Sequence, residues 1–258
     1  MKTPERKLSK LLRLAAVSAV LLSLLCGCSS PAGEQEAAGT APEPSAETLA
    51  EESRPPEIKA LENEEQRAVL SLSLDDFAAA YNRVYRLTHE TDYLSPASEW
   101  TALNDVTRLW EYPCVCYSFS ADPQIYSLPK VLVYAPEGGE EIYEIELLFD
   151  DHSFQEGFYE EFQRICHNTL QALLPNLSDA ERSALYDTLY AQTGELFLGD
   201  YYVDPDGSKP IPEKIYRCGE MGFYGYYGSG SANICIIPLT DAATAQIAQN
   251  GTELVSAP

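Results

Sequence analysis

The residues able to do chemistry are few and scattered along this chain. Five cysteines lie beyond residue 100: Cys114, Cys116, Cys166, Cys218 and Cys235. An odd number leaves at least one thiol unpaired. Cys114 and Cys116 stand two apart in a β-branched and aromatic run, so on a strand they share a face and do not bond to each other. As half of a zinc site they need a second ligand pair at suitable spacing, and the sequence has none. They read as small, buried apolar residues. A disulfide, were one to form, falls to Cys218 and Cys235. Cys166-His167 sets a thiol beside a base, but consecutive helical residues point about 100° apart and do not face each other. His89 or His152, brought in by the fold, could reach Cys166 instead.

The carboxylates give equally short motifs. Asp150-Asp151-His152 precedes a helix start. Such a group can bind metal, yet acids at that place also complement the helix dipole, and the dipole accounts for them. Asp204-Pro205-Asp206-Gly207 is a fragment of a calcium loop that lacks the third acid and the bidentate glutamate. A tight Pro-Asp-Gly turn explains it. There is no Ser-His-Asp signature, no zinc helix motif, no nucleotide loop and no carboxylate pair at a recognisable spacing. No catalytic residue, metal ligand or cofactor is therefore expected. The enzyme alternative is a hydrolase or thiol-dependent site assembled from distant residues, with Cys166 or a carboxylate pair at its floor.

The most unusual segment runs from Gly222 to Ser231, GFYGYYGSGS. Glycines near a strand admit a close neighbour, and tyrosines offer flat faces with a hydroxyl. One reading is a hairpin whose tyrosines pack on the sheet. The other is a ligand surface, with Tyr224, Tyr226, Tyr227, Trp100 and Trp110 as the rings that reach solvent and touch a cell-wall sugar or peptide. Alternation puts Tyr224 and Tyr226 on one strand face and Tyr227 on the other.

The N-terminus carries an address. Lys2, Arg6, Lys7, Lys10 and Arg13 form a basic start, and Leu14 to Leu25 is an apolar run of 12 residues. A helix crossing the membrane needs about 20; a basic start with a shorter apolar stretch reads as a secretory signal over residues 1–27. Leu25-Cys26-Gly27-Cys28 then resembles the bacterial lipobox: an aliphatic residue, a tolerant position, a small residue and a cysteine. The resemblance implies that Cys28 takes a diacylglycerol thioether and becomes the mature N-terminus after cleavage behind Gly27. Cys26 is a poor alternative, since Leu25 would then fill the small-residue position. The resemblance places the protein on the extracytoplasmic face of a bacterial plasma membrane, with membrane lipid as its first partner. The whole organisation is similar to that of Gram-positive surface lipoproteins.

The leader holds those five basic residues and one acid, Glu5, so its removal takes the net charge from −23 to −27. A chain this acidic cannot offer phosphate a basic face, which excludes nucleic acid as a partner. Residues 28–66 comprise the lipidated cysteine and a stretch dominated by Pro, Ala, Gly, Ser and Glu without an aromatic side chain. Such a segment cannot offset its ordering entropy by burial. It reads as a disordered acidic stalk with an end-to-end distance on the order of 35 Å.

All 17 Tyr, both Trp and all 8 Phe lie beyond residue 72, so residues 67–258 form the single folded domain. Ser73-Leu74-Asp75-Asp76 marks a first helix, with Leu72 and Phe77 as a hydrophobic staple. Strands are expected at Val106–Trp110, Cys114–Ser120, Lys130–Tyr134 and Glu141–Phe149, the last two joined by a Gly-Gly hairpin. In the final strand Tyr143, Ile145, Leu147 and Phe149 alternate with Glu144 and Glu146, which reads as one buried face and one wet edge of acid. Capping boxes at Ser153 and Ser178 open two helices joined across Pro175, a helical hairpin. Strands follow at Glu195–Val203, Lys214–Arg217, Gly222–Tyr227 and Asn233–Leu239. Segregated runs of this kind imply an α+β fold, an antiparallel sheet of about 6–8 strands with the first helix and the helical hairpin on one face. The order hints at two copies of a helix followed by strands.

Overall fold

Gly138 and Gly139 turn the chain back between two apolar runs, each with positive φ (102° and 68°) that other residues rarely adopt. Gly139 also donates its N–H to Pro136 O and accepts from the Leu74 N–H, so one turn fixes both a hairpin and the start of a helix. The computed structural model describes residues 58–88, 94–119, 130–150, 158–195, 212–228 and 230–258. All lie in one compact unit, Ser53–Pro258; the other unit, Met1–Glu52, holds none of them. The leader, Cys28, most of the stalk, His89, Asp151-His152, the Ser153 cap, Asp204–Gly207 and the strand expected at 195–203 fall outside the described residues.

The fold begins earlier than residue 67. Strand β1 (Ala60–Glu62) pairs antiparallel with β2 (Ala68–Leu70). Residues 58–66, assigned by composition to the stalk, thus contribute a strand and its turn. Helix α1 (Leu74–Thr88) follows, capped as the sequence predicts by the Ser73 hydroxyl, which accepts from the Asp76 N–H at 3.1 Å. A 3-10 turn (Ala97–Glu99) leads to β3 (Thr101–Val106), β4 (Pro113–Phe119), β5 (Lys130–Ala135) and β6 (Glu144–Asp150). The strand expected at 106–110 is displaced: the pairing residues are 101–106, and 107–112 is the loop joining β3 to β4. Helices α2 (Phe158–Leu173) and α3 (Asp179–Glu195) form the helical hairpin. The Ser178–Glu181 capping box is reciprocal, as read from the sequence. Arg182 reaches back from α3 to donate to the Leu174 and Leu177 carbonyls of the link between the two helices. Strands β7 (Lys214–Cys218), β8 (Met221–Gly228) and β9 (Ser231–Pro238), helix α4 (Asp241–Gln249) and β10 (Glu253–Ser256) complete the chain.

The main sheet has eight strands in the order β10-β7-β8-β9-β6-β5-β4-β3. The α+β class holds, but the sheet is mixed: β10 lies parallel to β7, and the other neighbours are antiparallel. The parallel pair arises because the chain crosses from β9 over β8 and β7 through α4, a helix the small-residue stretch DAATAQIAQ did not announce. Two antiparallel meanders, β3 to β6 and β7 to β9, meet where β6 pairs β9.

Both faces of the central strands are covered, while edge strand β3 is exposed throughout. On the first, α1, α2 and α3 bury Phe77, Tyr81, Phe162, Ile165, Leu185 and Leu189 against Val131, Val133, Ile145, Leu147, Phe223, Ile234 and Ile236. Gly225 lets α3 come down onto β8; a Cβ there would sit 2.1 Å from Leu189 O. Beyond Phe223, β8 outruns β7, and Gln192 of α3 takes over, accepting from Gly225 N–H and donating to Lys214 O. On the second face, α4 and the 107–112 loop cover β5, β6, β8 and β9. Trp110, Ile215, Tyr224, Tyr226, Cys235, Ile237, Leu239, Ala243 and Ile247 form that core.

Candidate functional site

The second face holds the charged groups. Period-two alternation along β6 sends Ile145 and Leu147 to the helices and Glu144 and Glu146 to the other side. The sequence placed these acids on a wet edge. They are instead fully buried, each at 0% exposure. Central position explains the difference: β6 has β5 on one side and β9 on the other, and the β3–β4 loop closes over the face that alternation alone leaves open.

Glu146 is held from three elements. Tyr134 of β5 donates its hydroxyl to Oε2 at 2.5 Å. Tyr226 of β8 donates to Oε1. Arg108 of the loop donates from Nε to Oε2 at 3.3 Å, with its guanidinium 5.9 Å over the Tyr134 ring. Glu144 accepts from the Arg108 backbone N–H through Oε2 at 3.0 Å. Its Oε1 has no partner at ordinary hydrogen-bond geometry. Cys235 stands opposite Glu146 across the β6–β9 pair and opposite Tyr224 across β8–β9. The Tyr224 and Tyr226 rings stack at 6.1 Å.

Residues 107–112 form a strap over this group. Thr107 closes it: its carbonyl accepts from Glu111 N–H, its N–H donates to Tyr112 O, and its hydroxyl accepts from Tyr112 N–H. Glu111 turns with a positive φ of 55°. Trp110 stacks on Tyr112 at 6.3 Å, and the Arg67 guanidinium lies over both Tyr112 and Tyr143.

Burial and the neighbouring Glu146 charge push the Glu144 carboxyl up to about 7, against the pull of the Cys235 thiol and of Arg108. The Glu146 charge raises Arg108 further above its usual range. Burial raises the Tyr134, Tyr224 and Tyr226 phenols. The pair can therefore hold one negative charge matched to Arg108, plus one proton exchangeable near neutrality.

The thiols behave differently from nucleophiles. Burial pushes Cys114 and Cys116 each up to about 12 and raises Cys166, Cys218 and Cys235, so all five stay protonated at neutral pH. All five are free. Cys218 and Cys235 do not pair, because Cys218 packs against the helix-side core while Cys235 lies in the opposite one. Cys116 is buried as read from the sequence, and Cys114 half-buried. His167, lowered by its own burial, rests against Tyr186 at 4.9 Å. Among the described residues no three His, Cys, Asp or Glu side chains group as metal ligands.

The five rings expected to reach solvent do not gather at one surface. Tyr224, Tyr226 and Trp110 meet in the second-face core, 1%, 6% and 7% exposed. Tyr227 is half-buried on the helix side of β8, as alternation predicts. Trp100 is buried in the helix-side core, 5.8 Å from Phe119, with its indole N–H donated to Ser95 O. Glu144, Glu146, Arg108 and Tyr134 escaped the sequence reading. The available signal was the apolar character of both neighbouring strands, which makes β6 central and leaves it no wet edge.

No protein-family model, curated protein or solved structure matches this chain.

Proposed function

We propose that the chain is a membrane-anchored extracytoplasmic lipoprotein whose folded domain is a non-catalytic binding or envelope-associated module. One observation carries the anchoring: Leu25-Cys26-Gly27-Cys28 directly follows a basic start and a short apolar run. Cys28 bears the lipid, and the acidic stretch behind it sets the domain away from the bilayer. The ligand in this reading is a cell-wall sugar or peptide. The protonated state of the five thiols speaks against the thiol-dependent alternative. A hydrolase built on the Glu144–Glu146 pair is the second reading, favoured by the Glu144 carboxyl lying near neutrality. Full burial of both acids weighs against it, because a general acid must reach the atom it serves.

Replacing Cys28 tests the anchoring. In cells fed labelled palmitate, the native chain takes up label and sediments with membranes. Cys28→Ser loses the label and is either shed or left unprocessed. Undiminished labelling of Cys28→Ser overturns the assignment.

A further inference from the structure

The polar group under the strap has a consistent chemistry. Its fixed walls are acceptors and tyrosine rings: Glu144 and Glu146 from β6, Tyr134 from β5, Tyr224 and Tyr226 from β8, Asn233 from β9. Two buried acceptors there, Glu144 Oε1 and Asn233 Oδ1, have no N–H or O–H donor, with only the weak Cys235 thiol donor beside Glu144. Asn233 stands opposite Tyr226 in the β8–β9 register and is 2% exposed. Leaving a buried acceptor unpaired is costly; these two stand four residues apart along the sheet, on either side of Glu146, and each marks a place for a donor. The group already seated there is a donor without acceptors: the Arg108 guanidinium, bonded to Glu146 and lying over Tyr134. Arg108 does not come from the walls. It comes from a six-residue loop, and its side chain remains 35% exposed, so the seat opens toward solvent along that side chain. The loop continues into β3, whose six residues are all exposed. The strap is packed down through Leu109, Trp110 and Tyr112, whereas the Arg108 side chain reaches solvent.

We propose that the acidic, tyrosine-walled seat recognises a guanidinium or primary ammonium group of a peptide, and that the Arg108 side chain occupies it as an internal stand-in. This rests on reading the domain as a binding module and names the ligand class of that module; the lipid anchor is independent of it. A cationic ligand displaces the Arg108 side chain, takes its bond to Glu146 and supplies donors to the open acceptors.

Thiol labelling reads opening of the seat separately from unfolding. Cys235 lies in the second-face core beneath Trp110, while Cys166 lies in the helix-side core. In Arg108→Ala the label should enter Cys235 about 10- to 100-fold faster than in the native protein, the loss of a charge-assisted hydrogen bond. Cys166 should keep its native rate. Methylguanidinium chloride should slow Cys235 labelling again in Arg108→Ala and leave Arg108→Ala/Glu146→Gln unchanged. Should Arg108→Ala not fold, Arg108→Gln carries the same comparison, since it keeps much of the side-chain length without the charge. In the native sequence with Trp100→Phe, Trp110 emission should change saturably with an arginine-containing tetrapeptide and not with its citrulline counterpart. Cys235 and Cys166 rising together, or no effect of methylguanidinium, overturns the seat. No saturable response to the arginine peptide overturns the external ligand. Either failure leaves the palmitate result on Cys28 standing, so the two readings fall separately.

Discussion

Replacing Glu144 by Gln isolates the buried proton. The groups facing this carboxyl are Glu146 on its own strand, Cys114 from β4, Tyr134 from β5, Tyr224 from β8, Cys235 from β9 and Arg108 from the strap. Its folded value of about 7 lies above the ordinary 4.5. Below pH 4.5 the carboxyl is protonated in both folded and unfolded chains and contributes no pH dependence. Between 4.5 and about 7 the folded protein keeps a proton that the unfolded chain has lost, so stability falls as pH rises. Above 7 the loss is complete. The difference corresponds to about 3 kcal/mol, and because the group is fully buried little of it is screened. Glutamine keeps an acceptor for the Arg108 N–H but carries neither the proton nor the charge. Urea unfolding of the native protein and Glu144→Gln from pH 4.5 to 8 should therefore show a stability difference that shifts by about 3 kcal/mol in favour of the variant, mostly between pH 5 and 7. Comparing the two proteins cancels the titration of the many other acids. A difference that stays constant over this range refutes the assignment of a neutral-range proton to Glu144.

Tyr226→Phe removes the hydroxyl given to Glu146 Oε1 and should cost about 1.5–3 kcal/mol in urea unfolding, whereas Tyr227→Phe, on the other face, should cost less. Gly225→Ala drives a methyl into Leu189 O and should lower stability by about 1–3 kcal/mol or prevent folding; a neutral melting temperature would show that α3 does not sit so close. Limited proteolysis of the mature chain should leave a resistant product that begins before Ile58, since β1 and β2 belong to the fold. A product starting near residue 67 with unchanged stability would contradict the β1–β2 pairing.

The helices with explicit caps were legible because capping is local chemistry. Ser73 and Ser178 announce α1 and α3, and the structure shows the hydrogen bonds they imply. Gly138-Gly139 likewise announces its turn. The partner of each strand is not local, and there the sequence misled. The alternation of β6 was read correctly and its environment was not, because Glu144 and Glu146 look the same in a wet strand and in one roofed by Arg108 and Trp110. The tyrosines of β8 alternate as expected, but whether Tyr224 and Tyr226 face solvent depends on α4 and the strap. Helix α4 is built from Ala, Thr and Gln with only Ile247 as a large apolar anchor, and β10 is four residues long. Neither has a periodicity strong enough to stand out, so the parallel pair they create stayed hidden. The stalk boundary slipped for a related reason: β1 contributes Leu61 and Glu62 to an exposed ribbon, and an exposed strand leaves little trace in composition.

The anchoring rests on one cysteine, and intact mass spectrometry of the membrane-extracted protein reads it directly. The account predicts a chain that begins at Cys28, heavier than its polypeptide by a diacylglyceryl group on that residue. A mature chain that begins elsewhere, or that begins at Cys28 without lipid, would contradict it.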